Sequence, residues 1–562
     1  MADSSKKQTF LHGAALLAIA TAIVKLIGAF YKIPLKAIID DEGYGYFSTA
    51  YDIYSVLLLI STAGLPVAMS RMISNASTLG KYNQVRRIYK TSQIIFIALG
   101  VASTLLMVLG SGWLAKILEQ PGAQAAILCL GPCAFLMGLI STYRGFFQGQ
   151  ENMRPTSTSQ VLEAVFKLVV GLAAAYFIMK TTQSLSLAAG GAILGVTVSC
   201  LISAIYLRGK FRGAYKEMPV TDERPDGYRF TAKQLLAIAV PITIGAAGLQ
   251  LLTVAESGLY MNRLVHLLQT NQYAQPLAAE LKAEILAADP LATASQLPHR
   301  MAASFKGIYN FAQTIFNMPC AFIVPISISV IPAITAHLTL KKDRDVRETE
   351  ESAARITGLI SLPCSVGLAV LARPIMAMLG GYTGLKLDLA ESLMMILAAC
   401  IFLYAIIQYT NSLMQAHGYA HVPVVNMLLV GVVKLAAVYI LVGNPSIGIL
   451  GAPIGAVLSY AAIAVLNLVA INKMVPQKPA LLKNLLRPFL PALIMGVVVF
   501  GSYRGLVYLL GPEGSRLLLC GIPVVIGVAV YCVLAVALKS ITADDCRLLP
   551  KGEKIAKMLK LR

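Results

Sequence analysis

Apolar runs of about 20 residues follow one another along nearly the whole chain, separated by short polar segments. Fourteen such runs lie near 11–33, 46–70, 91–113, 123–147, 157–179, 187–208, 232–262, 306–338, 353–378, 389–416, 421–442, 449–472, 486–510 and 515–539. Each is long enough to cross a bilayer as a helix. The pattern predicts an all-α, polytopic membrane protein with about fourteen transmembrane helices. The first run is not a removable leader, because Lys25 interrupts it and many spans follow.

Polar residues inside the runs fall at helical spacing. Thr156, Gln160, Glu163 and Lys167 sit at i, i+4, i+7 and i+11, on one face of the fifth span. Such a stripe faces protein or a water-filled cavity, not lipid. Glu163 precedes Lys167 by four residues, so a pair within one helix is a second reading. Thr253, Glu256, Tyr260 and Arg263 make a stripe in the seventh span. Asn310, Gln313 and Asn317 do so in the eighth, and Gln408, Asn411 and Gln415 in the tenth. Lys25, Lys32 and Lys36 share a face of the first span, Lys36 at a depth from which it snorkels to the outer surface. Asp52 lies in the outer third of the second span, and Arg71 ends that span. Pro66, Pro325 and Pro363 allow bending within spans.

The chain repeats itself at half length. Gln148 precedes Lys167 by the interval that separates Gln415 from Lys434, and the two pairs are 267 residues apart. GAILGVTVS at 191–199 is matched by GAPIGAVLS at 451–459, 260 residues on. Two pseudo-symmetric six-helix lobes follow, at 1–228 and 229–476, with a helix pair and basic tail at 477–562. Six spans per lobe preserve orientation, so the lobes are related by rotation about the membrane normal. Sites in duplicated transporters lie between the repeats.

Composition agrees. Only 13% of residues are charged and the mean hydropathy is +0.71, whereas soluble domains carry about 25% charge. The net charge of +20 is mostly an orientation signal. With the N-terminus inside, cytoplasmic segments hold 32 of the 47 basic residues, outer segments 12, and Lys25, Lys167 and Lys434 lie within spans. Both termini are then cytoplasmic in a plasma-membrane protein. The charge serves anionic lipid headgroups, not nucleic acid. The linker 208–233 is basic and cytoplasmic, 341–351 reads as a solvated helix start, and 266–306 is a long outer loop. Its 277–288 segment has the composition of an amphipathic helix lying at the outer interface.

The nine cysteines form neither a disulfide framework nor a zinc spacing. Cys129 and Cys133 read as helix packing, and His417 and His421 as loop residues. No phosphate-binding loop, nucleophile elbow or HExxH motif occurs. The chain reads as a transporter without cofactor or metal, not an enzyme.

The segments KLIGAFYKIPL at 25–35, DEGYGYFSTAYDIYSVLL at 41–58, STAGLPVAMSRMIS at 61–74 and YRGFFQGQENMRPTSTSQVLEAVFK at 143–167 resemble the polysaccharide-transport branch of the multidrug/oligosaccharidyl-lipid/polysaccharide exporter (MOP) superfamily. The likeness is greatest to the stage V sporulation protein B group, relatives of MurJ-type lipid II flippases. It implies two six-helix lobes around a cavity, and movement of a polyprenyl-diphosphate-linked saccharide from inner to outer leaflet. It places Lys25 and Lys32 among the basic residues lining that cavity. Leu58 and Leu59 stand where the family has a basic pair, and the outer loop after span seven is longer than in the group.

The candidate substrate-binding set is Lys25, Lys32, Asp52, Arg71, Glu163, Lys167, Glu256, Arg263, Asn310, Gln313, Asn411 and Lys434. Its cationic balance favours an anionic lipid-linked sugar moved by a monomer working by alternating access, with coupling ions left open. A drug/cation antiporter of the same superfamily would favour carboxylates. A non-transporting scaffold in cell-wall or spore-envelope assembly would have a filled centre. Lys25, deep in an apolar helix, is the expected headgroup contact.

Overall fold

The computed structural model describes residues 2–62, 64–273, 276–511 and 514–542, with side chains except at 2–19, 21, 22, 25, 60–62, 245–247, 249, 325, 326, 328, 329, 332 and 333. Among the described residues every regular element is helical.

The first helix, α1 (Ala2–Thr62), carries the first run and most of the second. No polar loop separates them. A single residue, Asp40 at φ 53° and ψ −175°, breaks the helical geometry, far from any helical conformation of either hand. The second run is itself split. Helix α2 (Leu65–Thr78) starts anew with Pro66 in its first turn, where the missing N–H costs nothing. Gly64 marks the break. A Cβ there would come within 2.2 Å of the Ala239 carbonyl oxygen, so only glycine lets the two backbones cross.

The chain continues through α3 (Tyr82–Leu109), α4 (Ser111–Ile117), α5 (Gln124–Gly149), α6 (Arg154–Thr182), α7 (Leu185–Glu217), α8 (Tyr228–Gln269), α9 (Pro276–Ala288) and α10 (Leu297–Thr339). Then come α11 (Asp343–Val370), α12 (Ala372–Gly380), α13 (Gly384–Ala416), α14 (His421–Val442), α15 (Gly451–Met474), α16 (Leu481–Leu486), α17 (Phe489–Leu510) and α18 (Arg516–Ala537). Ten helical stretches among the described residues are long and apolar enough to cross a membrane. The other four expected runs fall on α1–α2, α8 and α10, which include residues outside the description.

Packing divides the chain into two compact units, Met1–Tyr273 with Ala278–Gly307, and Ala274–Leu277 with Ile308–Arg562. This division differs from the division by repeat. Helix α8 opens the second repeat in sequence, yet it packs on α1, α2 and α3.

Each unit has the same internal order. In the first, α3 packs on α5, α5 on α7, and α7 on α6. In the second, α11 packs on α13, α13 on α15, and α15 on α14. The central helices are the buried ones. The apolar windows of α5 and α13 are 61% and 56% buried, against 17% and 11% for α6 and α14. What the peripheral helices expose is apolar, such as Leu105 and Leu109 on α3, Phe177 on α6 and Val433 on α14. In water such faces would be a liability; in lipid they are the required surface. Helices α17 and α18 pack on each other and on α11 through Leu362, Met495, Val499 and Tyr531.

Four expectations are corrected. Lys36 does not snorkel: it is buried, with Nζ 3.5 Å from an Asp41 carboxylate oxygen. The 277–288 segment is helical, but its apolar side, including Leu281 and Ile285, is buried. His417 lies in the turn after α13, but its Nε2 is 2.6 Å from Oε1 of Glu350, and His421 is not a loop residue, since it opens α14. Glu350 in turn is fully buried, so 341–351 is not solvated throughout.

Candidate functional site

The described polar side chains of the first unit converge on the half of α1 that follows Asp40. Gly45 and Gly307 explain how α10 reaches it. A Cβ on Gly45 would fall 2.2 Å from the Ala303 carbonyl oxygen, and one on Gly307 1.9 Å from that of Asp41. The two backbones therefore touch, and Lys306 is carried inward with them. Its ammonium donates to Thr49 Oγ1 at 2.7 Å, Ser257 Oγ at 2.7 Å and Asp52 Oδ2 at 3.1 Å. All three ammonium protons are used. Ser257 also donates to Asp52 Oδ2, at 3.1 Å. Lys306 is 1% exposed while the Asp52 side chain keeps 29%. The carboxylate is thus neutralised from one side and accessible from the other.

One turn away lies an aromatic stack. Tyr31, Phe47, Tyr51 and Tyr54 contact one another in sequence, with ring centroids 5.5 to 6.0 Å apart. Tyr31 is fixed by a hydroxyl bond to the Ala192 carbonyl at 3.1 Å. Two ammonium groups converge on this stack. Lys32 Nζ lies 5.9 Å from the Tyr51 ring centre. Lys167 Nζ lies 5.9 Å from the same ring and 5.8 Å from that of Tyr31. Cation–π contacts stabilise each ammonium by about 0.5–2 kcal/mol without cancelling its charge.

The carboxylate nearest Lys167 in sequence is taken by another cation. Arg144 Nη2 donates to Glu163 Oε2 at 3.1 Å, and Arg144 Nε to Ser159 Oγ at 3.0 Å. The reading of Glu163 and Lys167 as a pair within one helix is therefore replaced by a bridge from α5 to α6. Among the described residues Lys32 and Lys167 make no ion pair. Above Glu163 on the stripe, Thr156 Oγ1 and Gln160 Oε1 are buried and find no hydrogen-bond partner among the described residues.

The remaining candidates are dispersed. Lys25 lies outside the described side chains. Arg71 is exposed and lines a cleft of about 600 Å³ with Asn75 and Gln234. Glu256 is buried beside Ser257 on α8, and Arg263 is half-buried two turns further on. Four candidates belong to the second unit. Gln313 donates to the Tyr309 hydroxyl at 2.9 Å, and Asn310 Nδ2 is buried with no hydrogen-bond partner among the described residues. Asn411 accepts from Asn467 at 2.9 Å, and Lys434 is half-buried on α14.

Sequence reasoning missed Lys306, assigning it to the outer loop. A lysine opening an apolar run looks like one that snorkels. Two signals pointed inward. Asp52 needed a cation at its own depth, and the small residues Ala302, Ala303, Ser304 and Gly307 around Lys306 permit close helix contact.

The whole site described for the first unit falls within residues 10–337, and these match the model of the family described as polysaccharide biosynthesis protein. The chain belongs to that family. A second model, that of lipid II flippase MurJ, matches residues 291–507. Among relatives from Bacillus subtilis (strain 168), stage V sporulation protein B is 25% identical over 84% of this chain and 85% of its own. The membrane protein YabM is 26% identical over 99% and 98%, and lipid II flippase MurJ 20% identical over 76% of each. The solved inward closed conformation of MurJ covers 93% of this chain and 98% of its own at TM-score 0.63 and 14% identity. An inward-facing multidrug resistance MATE transporter covers 81% and 99% at TM-score 0.61 and 16% identity. These establish a MOP-superfamily fold and a multi-pass membrane protein.

Proposed function

We propose that this protein is a flippase for a polyprenyl-diphosphate-linked saccharide, moved from the inner to the outer leaflet with both termini cytoplasmic. One observation carries the reading: two cations share an aromatic ring while both neighbouring carboxylates are engaged elsewhere. Asp52 is held by Lys306 and Glu163 by Arg144. The positive surplus thus sits on Lys32 and Lys167. Leaving two ammonium groups together in an apolar span is costly unless an anion visits them. A diphosphate suits them, because lysine binds phosphate as a mobile point charge. The similarity to lipid II flippase MurJ and to stage V sporulation protein B supports the lipid-linked class.

In this reading Lys32 and Lys167 contact the diphosphate, and Tyr31 and Tyr51 hold them in place and offer an apolar face to a sugar ring. Asp52 and Lys306 set the position of the ring-bearing helix. The other candidates, Lys25 and Arg71 foremost, belong to the path of the headgroup. A cation antiporter would need accessible carboxylates free of lysine and arginine, and the two here are not.

The test is translocation of a fluorescent polyprenyl-diphosphate saccharide in vesicles containing the full chain. Lys32→Ala and Lys167→Ala are each expected to weaken apparent affinity about 10- to 100-fold, the worth of one charged hydrogen bond. Lys167→Arg should keep part of the activity. Wild-type rates in both alanine variants would remove the pair from the path. Export of cationic dyes, unaffected by lipid-linked sugars, would favour the antiporter.

A further inference from the structure

The connection between α15 and α17 has no role in that site. It reads KMVPQKPALLKNLLR from 473 to 487, and no acidic residue occurs anywhere between Glu391 and Glu513. Lys473, Lys478, Lys483 and Arg487 are exposed, and among the described residues none of the four is ion-paired. Four cations without an ion pair are thus held on one short elbow, which meets two α11 carboxylates only through amides: Gln477 Nε2 donates to Asp343 Oδ1, and the Ala480 N–H to Glu351.

The elbow is built rather than loose. The Ala480 N–H donates to Glu351 Oε1 at 3.1 Å, and Arg355 Nη1 donates to Asn484 Oδ1 at 2.9 Å. Asn484 Nδ2 donates back to the Ala480 carbonyl at 2.9 Å. Leu485 is fully buried, and its carbonyl would lie 2.2 Å from a Cβ on Gly358, so α16 rests directly on the α11 backbone. Ser540 Oγ donates to the Arg487 carbonyl at 3.3 Å. One face of α16 is therefore fixed inward. The other carries Leu482, Lys483 and Leu486, all exposed.

Two clefts open on that outer face. One, of about 630 Å³, is lined by Lys483, Asn484, Leu486 and Arg487. The other, of about 310 Å³, is lined in part by Asn472, Lys478 and Lys483. Lys483 borders both. Apolar exposure continues from the clefts along α17, through Phe489, Leu490, Leu493 and Val497. Cations and amides at a membrane surface, with an apolar track beside them, match one ligand shape: a phosphate carrying acyl chains.

We propose that this elbow binds an anionic glycerophospholipid, its phosphate between Lys483 and Arg487 and an acyl chain along α17. Lys478 and Asn472 border the neighbouring cleft and receive the rest of the headgroup. The site is separate from the lysine pair on Tyr51 and stands whether or not the transport reading does. Polyprenyl diphosphate and free phosphate share the phosphate chemistry, so the test separates them.

The experiment is native mass spectrometry of the purified full chain, titrated with phosphatidylglycerol, phosphatidylcholine, inorganic phosphate or a polyprenyl diphosphate. Phosphatidylglycerol should be retained over phosphatidylcholine by the wild type. The Lys483→Gln/Arg487→Gln variant should bind it about 30-fold more weakly, from the usual contribution of two surface cations. Lys483→Arg/Arg487→Lys should bind as wild type, and so should Lys180→Gln, a charge loss on α6. If the double glutamine variant does not elute as folded protein, Lys478→Gln alone should still weaken binding about fivefold. Equal retention of the two phospholipids, or of phosphatidylglycerol by wild type and double variant, overturns the proposal. Displacement of phosphatidylglycerol by polyprenyl diphosphate at equal concentration would reassign the elbow to the carried lipid. Displacement by inorganic phosphate would reduce it to a plain anion site.

Discussion

The crossing of α5, α6 and α7 in the first unit has a counterpart where α13, α14 and α15 cross in the second. Arg144 and Asn411 are 267 residues apart, as are Ser159 and Asn426, and Lys167 and Lys434. On the third helix Leu207 and Asn467 are 260 apart, the offset of Ser199 and Ser459. In the first unit the tie is ionic. Arg144 bonds Ser159 and Glu163, and Ser203 donates to the Ser159 carbonyl at 2.9 Å. In the second the tie is made of amides. Asn467 donates to Asn411 and Thr410, and accepts from Asn426 at 2.9 Å. Val430 stands where the first unit has Glu163.

Both units thus bind three helices at the same place with polar bonds, by different chemistry. The fold requires the tie and not the charge. A charge kept where amides suffice points to another use. In the first unit it engages Glu163, so that Lys167 makes no ion pair among the described residues.

Arg144→Ala should separate the two crossings most. It strands Glu163, and breaking such a pair costs about 3 kcal/mol when the partners are largely removed from water. Thermal unfolding in detergent, followed by a thiol-reactive dye, would read the loss. A cost under 1 kcal/mol would show that the pair is solvated and its removal harmless. Asn467→Ala comes next, at about 1–2 kcal/mol, because its partners find other bonds more readily than a stranded carboxylate does. The smallest change is expected from transplanting the amide tie. Arg144→Asn/Ser159→Asn/Glu163→Val/Leu207→Asn should stay within about 1 kcal/mol of wild type, since it removes both charges together and supplies three amides. Its translocation rate should nevertheless fall, because the environment of Lys167 changes. A graft that unfolds would show that the two crossings are not equivalent.

Much of this was legible in the residues. Long apolar runs dictate membrane helices, since lipid leaves the backbone no other way to satisfy itself. The repeat showed in the spacing of Gln148 and Lys167 against Gln415 and Lys434. The polar stripe on α6 marked a face that could not be given to lipid. Lys32, Asp52, Glu163 and Lys167 were all on the candidate set, because a charge in an apolar run is costly wherever it sits.

What the runs could not supply was pairing. Glu163 has Lys167 four residues away, the favourable order on one helix, yet it bonds Arg144 across a turn. Asp52 finds its cation 254 residues later, at Lys306. Periodicity reports which face a residue occupies, and helix geometry alone fixes that. Which helix lies opposite is set by backbone contacts, such as Gly45 on Ala303 and Gly307 on Asp41, that exist only once the helices have packed. The sequence by itself therefore determined the membrane fold, the duplication and the need for buried countercharges. Only the tertiary structure decided which countercharge each residue received, and so which cations remained for a ligand.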